Sequence, residues 1–323
     1  MACAHPWPAS ARPAVYRPRR PKQTAFYRLV EDNLETFLVQ ANDPFCASEP
    51  SVPPHAETAL RDFLSCGLPG EGVALARCGD CGRVMAVAFS CKRRCPCPSC
   101  AAKFMSRTAA RLVEEVVPDV PMRMWVLVLP KRIRYFLDRD RKVCDGVSRI
   151  LATEVDRFLG KLTGAREGRS GSLQFLQWGS SHDLKKHLHF HQVSTDGVFV
   201  EREGGAAFHE ARPPTLEEVR AVEQRIARRV LKLFVRRGYL EKEQMDTWMK
   251  WDHSGFSLDA SVAVEAPDRA GLERLLRYCG RPNFKAGNVT CEPDKERVVY
   301  RLPKPHVDGR TELVLTPMEF LRR

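Results

Sequence analysis

The sequence predicts an α+β fold, a mainly antiparallel sheet with packed helices, preceded by a helical and zinc-ribbon-like module. Three observations lead there. Strand-like apolar stretches recur at 124–130, 172–178, 188–193 and 257–266, with single-striped helices between them. Several neighbouring strands read as hairpin pairs, which a parallel sheet would not permit. Six cysteines fall in the 23 residues from Cys78 to Cys100, in a spacing suited to a metal ion.

The elements follow in order. Residues 1–23 are rich in proline and arginine and read as a basic arm. Thr24 is placed to cap a helix carrying Phe26, Leu29, Val30, Leu34, Phe37 and Leu38 at helical spacing. Residues 42–54 are a loop, and a shorter helix near 56–65 ends near Gly67. The cysteine cluster comes next, then a helix near 101–116. Pro118 and Pro121 mark a boundary before the buried strand "MWVLVLP" (124–130). A helix near 146–161 carries Val147, Ile150, Leu151, Val155, Phe158 and Leu159. The strands "SLQFLQW" (172–178) and "LHFHQV" (188–193) follow, and Asp196-Gly197 reads as a tight hairpin turn into Val198–Val200. Thr215 and Glu218 form a capping box for a long helix that stops at Gly238. After the strand at 257–266 comes a short helix, 268–280, ended by Gly280 and Pro282. Residues 297–302 and 311–316 pair as a hairpin around Asp308-Gly309. The expected domains are therefore the arm (1–23), a helical and zinc-binding DNA-binding domain (24–120), a sheet domain (121–282) and a C-terminal β-hairpin extension (283–323).

At 43% hydrophobic residues the chain can bury a proper core. No stretch approaches a membrane-spanning length, and "MACAHPWPAS" lacks the apolar run of a signal peptide, so a cytoplasmic protein is expected. The net charge is +12 and the isoelectric point about 9.3. A basic surface attracts polyanions by counterion release, which makes nucleic acid the expected partner. Arginine, which matches phosphate bidentately, dominates "KRIRYFLDRDRK" (131–142) and "RIARRVLKLFVRR" (225–237). Lys131, Arg132 and Arg134 of the first cluster are candidate DNA contacts.

Twelve cysteines in a cytosolic chain argue for metal rather than disulfides. Cys78-x2-Cys81 and Cys97-x2-Cys100 have zinc-ribbon spacing, because each pair can turn two thiolates toward one centre. Cys91 and Cys95 are surplus, and either could replace a ligand or join a second ion. Four thiolates leave no open position, so the zinc is expected to be structural. Lys92, Arg93, Arg94 and Lys103 surround it and are expected to meet nucleic acid.

"HLHFHQV" places His187, His189 and His191 at alternate positions. On a strand they share one face, about 6–7 Å apart, while Leu188 and Phe190 enter the core. Such a row is either a polar sheet face or a divalent-ion site.

In order, "CGDCGRVMAVAFSCKRRCPCPSC", "WVLVLPKRIRYFL", "LQWGSSHDLKKHLHFHQVSTDGVF" and "GFSLDASVAVEAPDRAGLERLLRYCGRP" resemble the rolling-circle transposases of the insertion-sequence ninety-one class. These belong to the HUH endonucleases, named for histidine–hydrophobic–histidine. The resemblance covers about residues 16–320. It implies a Rep-like nuclease domain over 121–282, with the HUH pair at His189 and His191 and the catalytic tyrosine at Tyr278. It also implies a Mg²⁺ or Mn²⁺ ion at the histidines, nicking of one DNA strand, and a covalent 5′-phosphotyrosine in rolling-circle transfer of a mobile element. Single-stranded or hairpin element ends are the implied partner, at a bacterial nucleoid. Some relatives carry two tyrosines four residues apart; here position 274 is arginine, as in the single-tyrosine branch. Many relatives also continue past "MEFLRR".

Tyr278 lies off the apolar stripe of its helix, with Arg274 four residues before it and Arg281 three after. An arginine-rich face suits a phosphate. A third metal ligand would come from Gln177 or His187, while His182 and Asp183 sit in a loop. The alternatives are a plasmid or phage replication initiator or relaxase of the same chemistry, and a truncated, non-catalytic zinc DNA-binding protein.

Overall fold

The computed structural model describes residues 19–43, 51–179, 184–251, 254–282, 284–292, 296–306 and 308–323. In chain order the elements are α1 (Ala25–Asn42), α2 (Pro54–Ser65), β1 (Val73–Arg77), β2 (Val84–Ala88) and α3 (Pro98–Arg111). Then come β3 (Met122–Val128), α4 (Lys131–Arg139), α5 (Arg141–Leu162), β4 (Ser172–Gly179), β5 (Lys186–Thr195), β6 (Gly197–Arg202) and β7 (Gly205–Glu210). The chain closes with α6 (Leu216–Arg236), α7 (Lys242–Met249), β8 (Ser257–Val264), α8 (Arg269–Cys279), β9 (Val289–Glu292), β10 (Arg297–Arg301), β11 (Glu312–Leu315) and α9 (Pro317–Arg322). The α+β reading holds, and the pairs β1–β2, β3–β5, β3–β8, β4–β5, β6–β7 and β9–β10 are antiparallel.

The chain divides into two compact units. The first comprises Met1–Cys100, Ala286–Arg301 and Val314–Arg322; the second comprises Ala101–Lys285, Leu302–Leu313 and Arg323. Residues of the expected C-terminal extension thus contribute to both units. In the first unit the Thr24 hydroxyl accepts from the Tyr27 N–H and starts α1. The α1 stripe then buries Phe26, Leu29, Val30, Leu34, Phe37 and Leu38. Phe26 packs against Phe63 of α2 at 5.1 Å between ring centroids, and against Phe320 of α9 at 6.2 Å. α9 and β9 both lie on α1 because the apolar stripe of an isolated helix needs covering, and the hairpin β1–β2, largely exposed, cannot supply the cover.

The second unit is built on a four-stranded sheet of order β4-β5-β3-β8. Alternation sends Trp125 and Leu127 of β3, with Leu188 and Phe190 of β5, into a core with α5 and α6. The opposite face carries Met122, Met124 and Val193, packed against Leu272, Leu275, Leu276 and Cys279 of α8. The capping box of Thr215 and Glu218 is present at the start of α6. Asp268 accepts from Gly271 N–H at 2.7 Å and starts α8.

One turn differs from expectation. β6 pairs with β7, not with β5. A two-residue hairpin turn of the expected type needs positive φ, which Gly197 does not have. Asp196 is committed elsewhere: its carboxylate takes Arg123 Nη2 at 2.6 Å and Nε at 2.9 Å, both groups buried. Gly197 is required for another reason, since a Cβ there would meet the His209 carbonyl. The β6–β7 hairpin is closed by the two-residue turn Glu203-Gly204, with positive φ at Gly204 and at Gly205, which pairs with Arg202.

Candidate functional site

Two sites emerge, one in each unit. In the first, the Sγ atoms of Cys66, Cys91, Cys97 and Cys100 all lie within 4.8 Å of one another. Cys66 and Cys100 are 3.6 Å apart, Cys91 and Cys100 3.7 Å, and Cys66 and Cys97 3.7 Å. Tetrahedral Zn–S bonds of about 2.3 Å require sulfur–sulfur separations of about 3.8 Å, so the four thiols fit a structural zinc ion. Cys66 sits at the C-cap of α2, and Cys97 and Cys100 flank the start of α3. Burial pushes the Cys66 thiol up, but the Cys91 N–H and the Arg19 guanidinium donate to its sulfur and bring it down to about 7. Burial pushes Cys97 up to about 11 and raises Cys91 as well. Metal uptake must therefore displace protons from these sulfurs.

The ligand set differs from expectation. Cys97 and Cys100 belong to it, but Cys78 and Cys81 are exposed at the β1–β2 turn and lie outside it. Their spacing closes that turn, with the Cys78 N–H donating to Arg83 O and the Gly82 N–H to Cys78 O. Cys66 and Cys91 complete the tetrad, while Cys95 is exposed and apart. Cys66 carried no motif signal. Its only sequence cue was its place at the end of a helix, just before Gly67. Of the basic residues nearby, Lys92 and Arg94 are exposed and Arg93 pairs with Asp62 at 2.7 Å.

In the second unit, β5 presents His187, His189 and His191 on the face that α8 covers. The His187 and His189 rings are 5.3 Å apart, and those of His189 and His191 4.8 Å. Tyr278 projects from α8 with its ring 5.7 Å from that of His191. It is 42% exposed, open to a large substrate. The Arg281 guanidinium stacks over the Tyr278 ring at 4.2 Å. Arg274, by contrast, pairs with Asp268 at 3.6 Å.

The hydrogen bonds decide which nitrogens can serve as ligands. His189 Nδ1 lies 2.7 Å from the His187 carbonyl, which fixes its proton there and leaves Nε2 with the lone pair. His191 Nε2 is buried without a hydrogen-bond partner among the described residues. Burial pushes the His191 imidazole down to about 4, with His189 and Arg281 adding to it, and burial lowers His189 too. Both rings are neutral near pH 7, the state a metal ligand needs.

Gln177 stands opposite His189 in the β4–β5 register. Its amide nitrogen donates to Cys279 O at 2.8 Å and Tyr278 O at 3.2 Å, so only its oxygen carries lone pairs for an ion. His187 is differently placed. Arg134 of α4 lies 2.7 Å from its Nδ1, and a guanidinium can only donate. The His187 proton then sits on Nε2, a tautomer with no lone pair for an ion. Lys131 and Arg132 are exposed on α4, while Arg134 is half-buried and also donates to Leu129 O. His182 and Asp183 lie outside the described residues.

Two family models match the chain, "Transposase zinc-binding domain" over residues 37–129 and "Putative transposase" over residues 171–323. The chain belongs to the insertion-sequence ninety-one type of transposase. The first match contains all four cysteines of the tetrad, and the second contains the histidine row and Tyr278. Searches of curated proteins and of solved structures found no match. Among the described residues of this transposase, no helix is long and apolar enough to cross a membrane.

Proposed function

We propose that this transposase nicks and rejoins one DNA strand, with Tyr278 as the nucleophile and His189 and His191 holding a divalent ion. One observation carries the reading: a half-exposed tyrosine has its ring 5.7 Å from that of His191, whose Nε2 is buried and without a hydrogen-bond partner among the described residues. A neutral imidazole with a spare lone pair fits a Mg²⁺ or Mn²⁺ ion, and Gln177 Oε1 is the third candidate ligand. When bound, such an ion polarises the phosphate and stabilises the departing oxygen.

The chain's own residues do the rest. Gln177 holds the carbonyls of Tyr278 and Cys279, and so fixes the end of α8 against the histidine face. Tyr278 Oη attacks the phosphorus in line. A tyrosyl O–P bond forms, the P–O3′ bond breaks, the phenol proton passes to solvent and the 3′-oxygen takes one up. The phosphodiester energy stays in the covalent link, so rejoining needs no nucleotide cofactor. Arg281, against the Tyr278 ring, supplies positive charge where the phosphate must sit. Exposed Lys131 and Arg132 extend the basic surface along α4, and single-stranded or hairpin element ends are the DNA it would receive.

The test is incubation of labelled single-stranded element-end DNA with the protein and Mn²⁺, followed by denaturing electrophoresis. A covalent band that Tyr278→Phe removes supports the reading. A band that persists in this variant overturns it.

A further inference from the structure

The geometry points to a second DNA surface on this transposase, a basic groove between α5 and α6 that takes the sugar–phosphate backbone of duplex DNA. Arg225, Arg229, Lys232 and Arg236 recur on α6 at intervals of four, three and four residues. They form one stripe about 16 Å long, since each residue rises about 1.5 Å. Arg157 and Lys161 of α5 flank it. Two consecutive clefts lie along this antiparallel helix pair. One, of about 450 Å³, is lined by Arg157, Lys161, Arg212 and Arg225, with Glu154 and Glu218. The other, of about 470 Å³, has an aliphatic floor of Ile150, Val235 and Met245 with Arg229, Lys232, Arg236 and Lys242 around it, and no acid among its described lining.

Glu154 organises the stripe. Its carboxylate is buried and takes Arg229 at 2.6 Å, Arg225 at 3.1 Å and Arg157 at 3.3 Å. One acid among three guanidiniums fixes their direction without cancelling their charge. That is preorganisation for phosphate, where each fixed guanidinium loses little further freedom on binding.

The lining also says which form of DNA fits. Single strands are held largely by stacking of unpaired bases on exposed aromatic rings. Among the described residues lining these clefts the one aromatic, Phe158, is buried in the core. Cations set along clefts that offer no stacking ring read backbone, and so suit a duplex. The groove is also separate from the nicking site. α5 and α6 pack on the Leu188 and Phe190 face of the sheet, and α8 with Tyr278 on the other. The inference rests on the transposase reading only for its choice of DNA as the polyanion; it does not need Tyr278 to be the nucleophile.

Lys232 and Arg236 are exposed and have no contact with Glu154, so Lys232→Glu/Arg236→Glu tests the groove on the full chain. Binding to a labelled duplex should weaken about tenfold, and the log–log salt slope should become shallower by roughly 2, near 0.9 for each lost phosphate contact. Adduct formation on a short single-stranded oligonucleotide should stay within about twofold. If the double variant melts lower than the parent, Lys232→Gln/Arg236→Gln removes the same two contacts without reversing charge, and its slope should change equally. An unchanged duplex affinity and slope would overturn the inference, as would an equal loss on the short single strand. Absence of any adduct with the parent protein would sink the nicking mechanism and leave the groove standing.

Discussion

The side-chain amide of Gln177 lies 2.8 Å from the carbonyl oxygen of Cys279, and joins a sheet strand to the last turn of the helix that carries Tyr278. The last carbonyls of a helix lack partners within it, and a buried donor from a neighbouring strand fixes both position and rotation. Gln177→Ala removes this bond and its companion to Tyr278 O. We expect a stability loss of about 2 kcal/mol by chemical denaturation. Nicking should fall further than stability accounts for, while zinc content is unchanged. Full nicking activity in this variant would show that the tyrosine does not depend on the anchor.

Tyr278→Phe removes one oxygen from a half-exposed ring. Stability should change by less than about 0.5 kcal/mol, as for other surface substitutions. DNA binding should persist and covalent attachment should vanish. His189→Ala and His191→Ala should also stop cleavage, but excess Mn²⁺ is expected to restore some activity to one of them and none to Tyr278→Phe.

The sulfur geometry separates two zinc ligand sets. Cys66→Ser should release the zinc and unfold the first unit locally, because ligand binding is part of its folding free energy. Cys78→Ser should keep one zinc per chain. Metal analysis by mass spectrometry distinguishes them, and zinc loss from Cys78→Ser with retention in Cys66→Ser would reverse the assignment.

Glu154 gives the stability a pH dependence. Burial alone would raise its carboxyl, but hydrogen bonds from Arg229 and Arg225 hold it below the ordinary value of 4.5. Its folded-state value is therefore depressed. The stabilisation is complete above pH 4.5 and is lost as pH falls below it. Glu154→Gln should cost about 1–2 kcal/mol near pH 7, less than breaking a fully buried pair, because its arginines remain partly hydrated. The cost should shrink in acid. Urea denaturation at pH 7 and pH 3.5 measures both, and an equal cost at the two values would show that the ion pairs carry no stability.

The local parts of this fold were legible in the sequence because their causes are local. Thr24 and the Thr215–Glu218 box marked helix starts, and alternation in "LHFHQV" marked a strand with its histidines on one face. The separation between His191 and Tyr278, 87 residues apart in the chain, needed the sheet to be assembled and α8 to bury its leucine stripe on the far face. The resemblance named both residues, but no spacing rule could give their distance.

Other features were decided by the tertiary structure alone. "CxxC" pairs suggested Cys78 and Cys81 as ligands, yet a thiol six residues before the second pair, Cys91, and one at a helix end, Cys66, lie closer to the Cys97–Cys100 knuckle. Ligand sets depend on which chain ends meet, and sequence spacing constrains only the partners within one turn. Asp196-Gly197 likewise carried the local signature of a hairpin, and a buried ion pair to Arg123 overrode it. The sequence by itself determined the elements, their apolar faces and the residue types fit for metal and phosphate. Only tertiary structure decided which thiols form the tetrad, which imidazole nitrogens keep a lone pair and which strand holds α8, because those are distances between segments remote in the chain.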